Sequence, residues 1–143
     1  MIYCGYQGCG KSTYCKKHPT TTIDLDSSSF CKIDGWEENY IKVANTLSRA
    51  GKKVFISAHQ VVINKLIEKG IEFELLLPTQ NKKIWKSRLE LRYNINPTQG
   101  NKNALMDFEQ NFDKDMAFYA DLNVVKHYVT AVVVTDIDKY IGE

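Results

Sequence analysis

No run of 18 apolar residues and no leader of basic, apolar and small residues occurs in the 143 residues, so the sequence predicts neither a membrane-spanning helix nor an exported chain. An excess of either charge is also missing. With 19 basic residues against 17 acidic ones, a strong sequence-independent hold on DNA or RNA is not expected. The four cysteines, Cys4, Cys9, Cys15 and Cys31, form no CxxC pair and no zinc spacing, which leaves reduced thiols in a cytoplasmic protein. No repeat, linker or low-complexity segment divides the chain. Residues 1–143 therefore read as one domain, long enough to bury a single core.

Against these absences stands Gly5 to Ser12, GYQGCGKS, which meets the GxxxxGK[ST] spacing of a phosphate-binding loop. Glycines at 5, 8 and 10 carry no Cβ, so the backbone can turn through φ > 0 and aim its N–H groups at an anion. Lys11 offers a point charge to the β- and γ-phosphates of ATP, Ser12 a hydroxyl to Mg²⁺, and the helix opening near Gly10 its positive dipole end. The expected cofactor-binding set is Gly5, Gly8, Cys9, Gly10, Lys11, Ser12 and Thr13. Its setting fits, with the apolar Met1 to Cys4 as leading strand and Lys11 to Lys17 opening a helix. Positive charge near Cys9 could lower its pKa, but the expectation is an ordinary thiol, since reactivity requires exposure as well as a low pKa.

Strand-length apolar runs alternate with helix-period stretches along the chain, the pattern of βαβ units and a parallel sheet. Strands are expected at Thr21 to Leu25, Lys53 to Ala58, Ile71 to Leu77 and Tyr128 to Thr135; helices at Glu37 to Ala50, Gln60 to Lys69, Lys82 to Tyr93 and from about Ala104 to Asn123. The polar stretch NINPTQGNKN at 94–103 reads as a mobile loop, and Asp136 as the cap of a short last helix ending at Tyr140.

Two further groups can carry chemistry. Asp24 and Asp26 lie two apart near the end of the second strand, so alternation sends both carboxylates to one side, beside the phosphate loop. One would order Mg²⁺ and the other hold or deprotonate an acceptor, unless both cap the serine-rich turn that follows. Arg88 and Arg92, two of only three arginines, share one face of a basic helix, where bidentate contacts to a transferring phosphoryl group are available. The alternative there is a solvated face with Glu90 as partner. Ser57 and His59 end the third strand, where many P-loop ATPases have a metal-binding aspartate and this chain has none. His18 and His127 have no partners in the sequence, and Trp36 and Trp85 read as packing residues.

Together these features resemble the small nucleoside-monophosphate-kinase-like P-loop proteins of bacteriophages, relatives of adenylate, shikimate and gluconate kinases. The likeness covers nearly the whole chain and rests on CGYQGCGKST, IDLDSSSF, ENYI at 38–41, VFISAH ending at His59, RLELRY at 88–93 and the terminal VVVTDIDKYI. It implies an α/β, three-layer P-loop NTPase fold, with a five-stranded parallel sheet, helices on both faces and a small helical lid at about 79–103. It implies ATP and Mg²⁺ on Lys11 and Ser12, metal support from Asp24, an acceptor at Asp26, and Arg88 with Arg92 as lid arginines. Lys11, Asp26, Arg88 and Arg92 are then the expected catalytic residues. QVVINKL, after the third strand, lacks an arginine to clamp an acceptor phosphate, and the lid is minimal. The expected activity is ATP-dependent transfer of the γ-phosphoryl group to a nucleoside or deoxynucleoside monophosphate in the host cytoplasm. A kinase of a hydroxyl, such as a polynucleotide 5′ end or a small metabolite, is the alternative. A nucleotide-binding switch without transfer activity is a third possibility, set up by the absent aspartate and the short lid.

Overall fold

The computed structural model describes residues 1–27, 30, 33–78 and 82–129. Their elements run β1 (Ile2–Gly5), α1 (Lys11–Lys17), β2 (Thr22–Asp24), α2 (Trp36–Arg49), β3 (Lys53–Ser57), α3 (Gln60–Glu68), β4 (Phe73–Pro78), α4 (Lys82–Ile95), α5 (Gln99–Ala120) and β5 (Lys126–Val129). All five strands are parallel, in the order β2-β3-β1-β4-β5. The α/β class and the five-stranded parallel sheet expected from the alternating pattern are both present.

Hydrogen bonding on both edges explains the composition of β1. With Cys4 opposite Ile56 on one side and Leu75 on the other, every residue of Ile2–Gly5 is buried, so the strand reads as a continuous apolar run rather than an alternating one. The connections place the functional end of this sheet. From β1 the chain crosses beyond β3 to reach β2, whereas from β3 it crosses beyond β1 to reach β4. Departure in opposite directions leaves a crevice between the C-terminal ends of β1 and β3, the usual ligand position in open parallel sheets.

Tyr40 ties that end together. Its ring is wholly buried in α2, and its hydroxyl donates to Leu25 O at 2.6 Å while accepting from Ser57 N–H at 3.0 Å. Burial pushes the phenol up to about 12, so it stays protonated and able to donate. Tyr40→Phe leaves the Ser57 N–H unpaired at the crevice. The expected loss of stability is about 1–3 kcal/mol, read as a lower urea midpoint at unchanged m-value.

The polar stretch at 94–103 differs from its expectation. Helix α4 runs to Ile95 and α5 starts at Gln99, so only three residues connect them. Thr98 caps α5 by accepting from Asn101 N–H at 3.1 Å, and the buried Asn101 side chain donates to Asn96 O at 2.8 Å. The polarity that resembles loop chemistry is helix-start chemistry here. The last strand begins at Lys126, two residues earlier than expected; its continuation to Thr135 and the helix from Asp136 lie outside the described residues. No helix among the described residues is long and apolar enough to cross a membrane.

Candidate phosphate-binding site

Gly5 to Ser12 leaves the centre of the sheet and enters α1, as its spacing requires. Two glycines in it are irreplaceable for different reasons. A Cβ on Gly5 would stand 2.7 Å from Cys9 Sγ, while Gly8 has φ +85° and would bring a Cβ within 3.1 Å of Leu89. The first turn is closed by Tyr14 N–H to Gly10 O at 3.0 Å, so the N–H groups of Ser12 and Thr13 precede any intrahelical acceptor. Cys9 is buried under the loop. Burial raises its pKa and outweighs the lowering by Lys11, in line with the expectation of an ordinary thiol. Cys4 and Cys15 are likewise free and buried.

Helix α4 presses on this loop with one face, formed by residues three and four apart. Trp85 is wholly buried and donates its indole N–H to Gln7 O at 3.1 Å; Leu89 covers Gly8; Arg88 Nε donates to Gly8 O at 2.9 Å. Trp85 is thus a packing residue, as expected. Arg88 and Arg92 line a groove of about 320 Å³ with the loop residues Gly8 to Thr13, backed by Leu91 and Ile95. Burial and then the charge of Arg92 hold the Arg88 guanidinium below its ordinary pKa, so two like charges crowd a groove that an anion would relieve. Glu90 does not serve as their partner; it pairs with Lys86 at 4.0 Å.

On the other side of the loop the crevice between β1 and β3 opens into a cleft of about 500 Å³. Tyr6, Gln7, Trp36, Ser57 and His59 line it, and α5 forms one wall with Asp107, Asn111, Asp115 and Tyr119, spaced four residues apart. Lys11 lines both the groove and the cleft. It makes no ion pair among the described residues.

The two aspartates of the second strand part company. Ser12 Oγ donates to Asp24 Oδ2 at 2.7 Å, which brings a hydroxyl and a carboxylate together beside the loop. Strand β2 ends at Asp24, and Asp26 lines neither the groove nor the cleft. Its charge is felt instead by the Tyr40 hydroxyl. The Ser12–Asp24 pair fits Mg²⁺, which takes hard oxygen ligands, keeps much of its water and needs only one or two protein groups besides phosphates. No cluster of three or more His, Cys, Asp or Glu that would suit a metal bound by protein alone occurs among the described residues.

The other histidines find ordinary partners. His127 Nε2 lies 2.6 Å from Glu74 Oε1 across β4 and β5, and His18 packs against the Tyr14 ring at 4.5 Å. Sequence reasoning missed the α5 wall and Gln7. The signal was there as a polar stripe, Asp107, Asn111 and Asp115, beside the apolar Phe108 and Phe112 on one helix. No protein-family model matches the chain, and no curated protein matches it.

Proposed function

We propose that this chain is an ATP-dependent phosphotransferase of the P-loop kinase kind, moving the γ-phosphoryl group to a nucleoside monophosphate. The observation that supports it most is the position of Lys11, shared by the arginine-lined groove and the cleft between β1 and β3. A donor phosphate chain in the first and an acceptor in the second would meet at one ammonium group. In the reaction an acceptor phosphate oxygen bonds to the γ-phosphorus while the bond from that phosphorus to the β–γ bridging oxygen breaks, its electron pair leaving with ADP. An ionised acceptor phosphate has no proton to lose.

Ser12 and Asp24 would hold Mg²⁺, which when bound offsets negative charge on the β- and γ-oxygens. Lys11, Arg88 and Arg92 supply the remaining positive charge on the loose transition state. The three-layer kinase arrangement and the role of α4 as the lid's arginine-bearing helix are part of the same proposal.

The two arginines differ in what their loss should do. Arg92→Ala is expected to lower kcat by about 10²-fold while changing ATP affinity little, as for a group used in the transition state. Arg88→Ala also removes the bond to Gly8 O and should weaken ATP binding as well. ADP release measured with a panel of monophosphates tests both; turnover of Arg92→Ala equal to the parent's removes the transition-state role.

One observation favours a second reading. The cleft has two carboxylates on its wall and no arginine among its described lining, which suits a hydroxyl acceptor better than a dianion. A hydroxyl must lose its proton to a carboxylate, and the ones that line this cleft are Asp107 and Asp115 rather than Asp26, the base expected from sequence. ATP consumption with nucleosides or 5′-hydroxyl oligonucleotides, and none with monophosphates, would replace the first reading by this one.

A further inference from the structure

The α5 wall is more specific than a generic polar surface. Asp107 is fully engaged, with Oδ2 accepting from Gln7 Nε2 at 2.9 Å and Oδ1 from Asn111 Nδ2 at 2.7 Å. Asp115 is not. Its Oδ1 accepts from Gln60 Nε2 at 2.8 Å, and Oδ2 has no hydrogen-bond partner among the described residues. A second group in the cleft is short of a partner: Tyr6 is 3% exposed, yet its hydroxyl has no hydrogen-bond partner among the described residues. The neighbouring Gln7 amide is committed to Asp107 instead. Burial keeps the phenol protonated, with the nearby Gln7 side chain acting against it and the fields of Asp115 and Asp107 adding to it.

Asp107 and Asp115 are eight residues apart on α5, about 12 Å along the helix axis. That span suits a nucleoside laid along the wall with its phosphate toward Lys11. The unsatisfied groups at Asp115 are acceptors, so the complementary ligand edge carries donors. Among bases, guanine presents a ring N–H beside an exocyclic amine, two parallel donors matched to a carboxylate. Thymine and uracil would instead turn carbonyl oxygens toward it.

We propose that the cleft reads the acceptor's base through Asp115, selecting an amino-bearing base with guanine first. The inference rests on the phosphotransferase reading for the direction in which the acceptor lies. Its chemistry can be tested without turnover.

Calorimetry on the whole chain with dGMP, dIMP and dTMP separates the possibilities. dIMP has the same ring as dGMP without the amine. The expected result is dGMP binding about 10-fold or more tightly than either of the others, since a site built to accept a donor rejects the analogue lacking it. Asp115→Asn should bring the three affinities within about 3-fold while leaving ATP affinity unchanged. The variant should fold, because burial already raises the pKa of this carboxyl and removal of its charge relieves that cost. Equal affinities in the parent protein, preference for dTMP, binding of none of the three, or a guanine preference that survives Asp115→Asn would each overturn the inference. Mg-ATP titrated into the same sample keeps the two readings apart: heat with ATP and turnover best on dTMP removes the base reading alone, whereas no heat with ATP removes the phosphotransferase reading.

Discussion

Lys11→Met is expected to lower turnover by about 10²- to 10³-fold, the loss seen when one preorganised group facing developing charge is removed. Methionine keeps most of the aliphatic stem, so the half-buried side chain is still packed and the protein should remain folded. What disappears is the one cation common to the groove and the cleft among the described residues. Lys11→Arg is an informative partner because a planar fork cannot replace a compact ammonium group that must address two cavities. Steady-state ADP release, with circular dichroism to confirm folding, measures both. Turnover of Lys11→Met within about 3-fold of the parent's would leave the shared-lysine argument without support, against the expected range.

Trp85→Ala should cost more stability than any other single truncation in the helical pair. A wholly buried indole is replaced by a methyl group, an expected loss of about 3–5 kcal/mol. The damage is also local to function: Gln7 O loses its donor at 3.1 Å, and the support behind Gly8 becomes a cavity. Trp85→Phe separates these effects, because it refills much of the space and removes only the indole N–H. Urea denaturation should rank parent above Trp85→Phe above Trp85→Ala, and ATP affinity should follow the same order. An alanine variant as stable as the parent would show that α4 contributes little to holding the loop.

The contrast between these residues and the cleft explains what the sequence allowed to be read. The glycine loop is contiguous, each of its positions has a local physical requirement, and the Gly8 φ of +85° is the kind of conformation its glycines imply. The arginines were legible as a pair because helical spacing alone puts residues 88 and 92 on one face. Of the Asp24–Asp26 pair only Asp24 meets the loop, through Ser12, while Asp26 lies outside both cavities and acts on the Tyr40 hydroxyl, a distinction that spacing alone does not make. For Cys9 the sequence shows neighbouring charge but not burial, and burial dominates. The cleft could not be assembled from sequence at all: the bond from Gln7 to Asp107 spans 100 residues, and that from Gln60 to Asp115 spans 55. Only the sheet order, with β1 and β3 adjacent, brings those segments together.

The seating of Trp85 has a mechanical corollary. A helix whose indole is sunk beneath the glycine loop is a bolted bracket, and the Arg88 guanidinium is held against that loop by its bond to Gly8 O. Swinging it outward would require extracting the indole against several kcal/mol, far above thermal energy. Under the proposed phosphotransferase reading, ligand exchange would be decoupled from large excursions of this helix, and the entropy of ordering Arg88 would be settled when the chain folds instead of at each turnover.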